Sequence, residues 1–328
     1  MDFKDFTASN DDDNRRLDKI IRVFIPDLPL SEIYKLIRKG LIRINQKKCK
    51  AESRVAAGDI ISIASFIADS KGASTDETKA TGHEKKSDKL PSLPPVVFEN
   101  QHILILNKPY NMSVHGEENS LDKIVLEYYR KNAAASSLSF KPGPLHRIDK
   151  KTTGLVVFSK SLEGARWFTE KIKNHEITKL YYGLFQGKVK DGDWRDVITN
   201  DRENSAGFFT VNAGNEIIDE NSRYALSHVK ALAYGSYNGD PVSLAKIHIE
   251  TGRKHQIRAQ SSLHKTPLLG DLAYGGKKIA GSRQDFFLQA SELHIPENEL
   301  GIPSLIELPL SDYFKEMLKH CDIKKSDV

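Results

Sequence analysis

The stretch PLHRIDKKTTGLVVFSK, residues 144–160, decides how the second half of this 328-residue chain is read. Pro142, Gly143 and Pro144 exclude regular helix ahead of His146. The apolar run Leu155, Val156, Val157, Phe158 that follows Gly154 reads as a buried strand. Asp149 therefore sits on a loop that enters a sheet, with Arg147, Lys150 and Lys151 beside it. Neighbouring cations favour an ionised carboxylate, which suits nucleophilic or base chemistry. The plainer alternative is a polar turn in which the aspartate caps its own backbone.

Moving outward, TGRKHQIRAQSSLHK (residues 251–265) packs Arg253, Lys254, His255, Gln256 and Arg258 into six positions. It follows SLAKIHIE, whose alternation reads as a strand. A helix beginning near Gly252 would place His255 and Arg258 on one face, three residues apart. In KLYYGLFQG (residues 179–187), Lys179 and Tyr181 are two apart and share one face of a strand. NKPYNMSVHG (residues 107–116) contributes a turn with Lys108 and His115. From residue 95 to 318 apolar strands and turns alternate, with helices expected at LDKIVLEYYRKN and EGARWFTEKIKN. That is one large α+β unit, richer in strand than in helix.

The first part of the chain differs in charge. Residues 15–63 hold twelve Lys or Arg against five Asp or Glu, although the whole chain has a net charge of only +5. A basic segment on an otherwise balanced chain is the footprint of nucleic-acid binding. Leu17, Ile20, Ile21 and Phe24 form the apolar face of a short helix that Pro26 ends. A second helix, capped by Ser31 and stopped at Gly40, buries Ile33, Leu36 and Ile37 and turns Lys35, Arg38 and Lys39 outward. Short strands follow to about residue 65. Residues 1–14 read as a polar tail and 319–328 as a second one. Residues 66–94, poor in large apolar side chains, read as a flexible linker.

No apolar run approaches the roughly 18 residues of a membrane span, and MDFKDFTASNDDDNRR lacks a secretory pattern, so a cytoplasmic, membrane-free protein is expected. Cys49 and Cys321 stand far apart without a CxxC partner, and none of the eleven histidines forms an HExxH pair. Neither a disulfide framework nor a metal site is expected.

Residues 15–65, through RRLDKII, LSEIYKLIRKGLIRINQKKCK and AGDIISI, resemble the S4 RNA-binding domain. HRIDKKTTGL, KLYYGLFQG and TGRKHQIRAQSSLHKTPLLGDLAYG, in that order after NKPYNMSVHG, resemble the RluA-type pseudouridine synthases, most closely the RluC and RluD branch acting on large-subunit ribosomal RNA. The resemblance implies a mixed, mostly antiparallel central sheet with flanking helices and a cleft across its middle. It implies a cofactor-free isomerisation of uridine to pseudouridine in a flipped-out nucleotide, with RNA as partner and the protein working as a monomer. Asp149 corresponds to the catalytic aspartate, Tyr181 to a tyrosine that stacks on the base and assists proton removal from C5, and Arg258 to an arginine paired with the aspartate. Arg147 corresponds to the residue that fills the gap left by the flipped base. His146, Lys179, Arg253, His255 and Gln256 complete the expected RNA contacts in this part, and Lys35, Arg38 and Lys39 those of the S4 segment. Ile148, Thr153 and Gln260 stand where leucine, serine and histidine are usual. Transfer RNA as substrate, or an RNA-binding protein without catalysis, are the rival expectations.

Overall fold

The computed structural model describes residues 2–68, 92–132, 137–200, 209–213 and 222–323, and the chain divides into two compact units. The centre of the expected linker, residues 69–91, lies outside the described residues.

The smaller unit contains residues 1–92 with 124–143 and 160–163. Its four-stranded antiparallel sheet has the order β1 (Phe3–Thr7), β6 (Ile60–Ala64), β3 (Ile42–Ile44), β4 (Lys47–Lys48), and β2 (Arg15–Arg16) pairs with β5 (Arg54–Val55). Helices α1 (Leu17–Phe24) and α2 (Leu30–Lys39) bury Leu17, Ile20, Ile21, Ile33 and Ile37 against Ile42, Ile61 and Ile63. Helix α2 starts two residues earlier than its sequence suggests. Pro29 is the N-cap, its carbonyl accepts from the Glu32 and Ile33 amides, and Ser31 is inside the helix. Gly40 ends it in the left-handed conformation, φ 73°, a geometry that glycine adopts without steric penalty.

Residues 1–14 are not a tail. Phe3–Thr7 completes the sheet edge, and Asp12, fully buried, accepts hydrogen bonds from the amides of Ser9, Leu138 and Ser139 and from the Ser137 and Ser139 hydroxyls. Polar composition hid this, because apart from Ser9 the groups that satisfy the aspartate lie more than 120 residues away. The expected linker also begins later than residue 66, since Ile67 joins the core.

The larger unit carries an eleven-stranded sheet along the path β13 (Phe209–Ala213), β12 (Gly192–Asn200), β14 (Ser222–Tyr237), β15 (Asp240–Ile249), β11 (Thr178–Gln186), β16 (Leu288–His294), β10 (Thr153–Ser159), β8 (Ile103–Lys108), β7 (Val96–Glu99). Short β9 (Gly143–Pro144) pairs with β10, and β17 (Leu305–Glu307) with β16. Along this path, pairing is antiparallel except where β10 meets β16, and β17 is antiparallel to β16. At that meeting Gly154 has φ +109°, and a Cβ there would stand 2.1 Å from the Ala290 carbonyl oxygen. The glycine of TTGL is therefore a requirement of close strand approach.

Helices α3 (Leu121–Asn132) and α4 (Leu162–Lys173) lie where the sequence predicts them, and α4 closes one part of the sheet, where Phe168 packs with Ile103, Ile105, Leu155 and Val157. Helix α6 (Asp312–His320) closes another, setting Phe314, Met317 and Leu318 against Leu184, Leu244 and Phe287. Cys321 and Ile323 belong to that core, so the expected terminal tail starts no earlier than residue 324, outside the described residues. Among the described residues no helix is long and apolar enough to cross a membrane.

Candidate active site

Strands β15, β11, β16 and β10 are neighbours in the sheet, so the segments attached to them converge. The loop before β10, the face of β11 and the segment from β15 into helix α5 (Gln256–Leu263) line a cavity of about 800 Å3. Arg147, Asp149, Lys179, Tyr181, His255 and Arg258 all face it.

Asp149 is 18% exposed at the side chain. Arg258 Nη1 lies 3.8 Å from its Oδ2, and His255 Nε2 lies 3.9 Å from its Oδ1. Burial raises the pKa of the carboxyl group, and the charges of Arg258, Arg147, Lys254 and Lys108 oppose that rise in decreasing order. The flanking lysines that the sequence offers as counter-charges are turned elsewhere. Lys150 pairs with Glu117 at 2.8 Å, and Lys151 pairs with Asp285.

Arg258 itself is held by a residue that sequence reading missed. Its Nε and Nη2 donate to the two oxygens of Asp271 at 2.7 and 2.9 Å, with the arginine 9% and the aspartate 2% exposed. The guanidinium also lies 4.8 Å from the Tyr274 ring centroid and 4.7 Å from that of Phe286. A two-point fork fixes the plane of the group, so Nη1 is aimed at Asp149 without needing Asp149 to hold it. The sequence signal was a single acidic residue in the apolar turn PLLGDLAYG.

Lys108, which the sequence offers only as part of a turn, lies beneath the Asp149 loop. Its side chain is fully buried, and Nζ donates to the carbonyls of Pro109, Met112 and Lys150 at 3.0, 2.8 and 3.0 Å. Burial pulls its pKa down to about 7, opposed by the Asp149 charge. Three carbonyl acceptors match the three donors of an ammonium group. Lys108 thus ties the residue after Asp149 to the 109–112 turn and places a positive charge under the loop.

His255 is not inside the helix, as its spacing suggested, but at the N-cap in the left-handed region, φ 55°. Its Nδ1 lies 2.9 Å from the Tyr274 hydroxyl, and burial together with Arg258 and Lys254 pulls its pKa down to about 3. The neutral ring neighbours Asp149 as a polar group, not as an ion. Lys179 and Tyr181 share the cavity face of β11, as alternation requires, despite a register shift against β16 at Leu180 and Tyr181. Burial depresses the Lys179 pKa, partly offset by Glu250. For Tyr181, burial and then the Asp149 charge push phenol ionisation far above its usual range.

Other expected contacts have internal partners. His146 accepts the Val157 amide at Nε2, 3.1 Å, and stacks on Phe168, which staples the Asp149 loop to β10. Arg147 is exposed, with Nη1 3.4 Å from His115 Nε2. Arg253 is exposed and donates to the Tyr224 carbonyl. Gln256 is buried: its Oε1 accepts from the Thr251 hydroxyl and Arg253 amide, and its Nε2 donates to the Leu226 carbonyl and Ser227 hydroxyl. Gln260 is fully buried, donates to the Trp194 carbonyl and Asp196, and accepts from Ser227. Both glutamines therefore join α5 to the sheet. In the smaller unit Lys35, Arg38 and Lys39 are exposed on α2, with Lys35 3.2 Å from Glu32.

The chain is similar to known proteins over most of its length. The family described as RNA pseudouridylate synthase matches residues 102–263, and the S4 domain matches residues 15–61. The ribosomal large subunit pseudouridine synthase C of Vibrio vulnificus is 26% identical over 310 residues, covering 93% of this chain and 92% of its own. The protein of the same name from Rickettsia conorii is 28% identical over 311 residues, covering 92% and 96%. Human RNA pseudouridylate synthase domain containing 4 shares the fold, with a TM-score of 0.57 at 18% identity, covering 70% of this chain and 93% of that one. With the motif segments gathered around one cavity and an S4 domain ahead of them, the chain belongs to the RNA pseudouridylate synthase family, a family of isomerases.

Proposed function

We propose that this enzyme converts uridine to pseudouridine in large-subunit ribosomal RNA, with Asp149 acting at the ribose carbon of a flipped-out nucleotide. The observation that carries the reading is the placement of Asp149 beside Arg258 in a cavity that Tyr181 also lines. The reaction breaks the bond from N1 to C1′ and forms one from C5 to C1′. C5 loses a proton and N1 gains one, so nothing is added and no cofactor is needed. A base stacked in a duplex cannot enter a cavity of this kind, so the target is extruded. Arg147, exposed beside the loop, takes the space the base leaves.

Each side chain has a role consistent with its surroundings. Arg258 favours the ionised Asp149 against the penalty of burial and orients it. Tyr181 supplies an aromatic face for the base. Burial and then the Asp149 charge disfavour its ionisation, so the phenol is held toward its protonated form. The basic face of α2 anchors RNA by its phosphates, which positions without reading sequence.

The ribosomal substrate rests on the names of the relatives that match over nearly their whole length. Mapping pseudouridine in total RNA from cells with and without the gene tests it. Loss of specific large-subunit sites is expected. Loss confined to transfer RNA would replace the substrate, and an unchanged map would remove the activity.

A further inference from the structure

Strands β14 and β15 place His228 directly opposite His248, and Glu250 follows His248 by two residues, so the three side chains share one face of the sheet. The imidazole rings stack at 5.3 Å. Glu250 Oε1 lies 3.4 Å from His228 Nε2 and 3.8 Å from His248 Nε2, and one ligand atom from each residue fits within 4.8 Å of the others. Donor atoms about 2.0–2.2 Å from a tetrahedral zinc ion stand about 3.3 Å from one another, so the group needs only small side-chain rotations to close.

A fourth residue makes this more than proximity. Asp193 Oδ1 lies 2.6 Å from His228 Nδ1. Nδ1 thus faces the Asp193 carboxylate, and Nε2, on the far side of the ring, faces that of Glu250. A histidine whose far nitrogen donates to a carboxylate is the usual support of a metal-binding imidazole. Lys179 and His175 also lie near Glu250.

We propose that His228, His248 and Glu250 form a binding site for a divalent transition ion of the zinc class, with Asp193 orienting His228. His248 and Glu250 also line the cavity that holds Asp149, so the ion would sit on the wall of the RNA site. Three protein ligands leave a fourth position for water or an RNA oxygen. Sequence spacing could not announce the site, because its ligands are joined by strand pairing and not by a local pattern.

The test is calorimetric titration of Zn2+ into untagged, chelator-stripped full-length protein, with Co2+ absorption as a report of coordination. One equivalent should bind with a Kd below about 10 µM. His248→Gln and Glu250→Gln should each weaken binding at least about tenfold, and Asp193→Asn by about 10 to 100-fold. Mg2+ in large excess should not compete, since it prefers oxygen ligands. Circular dichroism of the metal-free proteins checks folding, and the part-exposed Glu250 gives a variant independent of the histidine pair. Binding weaker than the stated Kd, or binding that both His248→Gln and Glu250→Gln leave unchanged, would overturn the proposal.

Discussion

Arg258 grips both oxygens of Asp271 and leaves one nitrogen free to face Asp149. The pair is buried, and removing one charge strands the other. Asp271→Asn is therefore expected to cost about 3 kcal/mol of stability. With the guanidinium no longer locked, single-turnover pseudouridine formation should fall by at least about tenfold. Urea unfolding and rate measurements on the same preparation check both effects.

The acidic limb of the activity profile depends on Asp149 being ionised. Burial raises its pKa, and Arg258 is the largest opposing influence. Removing the guanidinium together with its own partner, in Arg258→Met with Asp271→Asn, should raise the Asp149 pKa further. The acidic limb should then move to higher pH, and the plateau should fall. Single-turnover rates across pH, with folding checked at each point, test the shift.

Stability gives an independent view of the same carboxylate. A folded-state pKa above the unfolded value means that the native state holds the proton more tightly. Asp149 therefore lowers stability progressively as pH rises from the unfolded value through the folded one, and the penalty persists above it. Asp149→Asn should resist urea better than the parent at neutral pH. The difference should shrink toward zero near pH 3, where both side chains are neutral. Equal midpoints at both pH values would contradict the burial cost.

The exposed row Lys35, Arg38 and Lys39 should matter for RNA and hardly at all for folding. Replacing all three by alanine should reduce the slope of log affinity against log salt by about 2 to 3, as loss of three phosphate contacts requires. Filter binding over a salt series measures this. An unchanged slope would show that α2 does not face RNA.

Local chemistry made several of these features legible. The Pro-Gly-Pro turn and the apolar run after Gly154 put Asp149 on a loop before a strand, and alternation put Lys179 and Tyr181 on one face. What stayed hidden was decided by distant partners. Asp271 gains meaning only when its turn comes under α5, and Asp12 only when residues 137–139 cover it. Gln256 and Gln260 lie in a polar run that resembles a binding surface, yet both satisfy strand and loop groups inside the fold. The cross-strand His228 and His248 pair is set by register, which no local window contains.

Asp149 is the carboxylate proposed to react at the ribose. Asparagine keeps its shape but has neither charge nor nucleophilicity. Single-turnover pseudouridine formation by Asp149→Asn, on an RNA that the parent enzyme modifies, is expected to be undetectable while RNA affinity stays within a few-fold. Product formed at a rate comparable to the parent would remove Asp149 from the reaction.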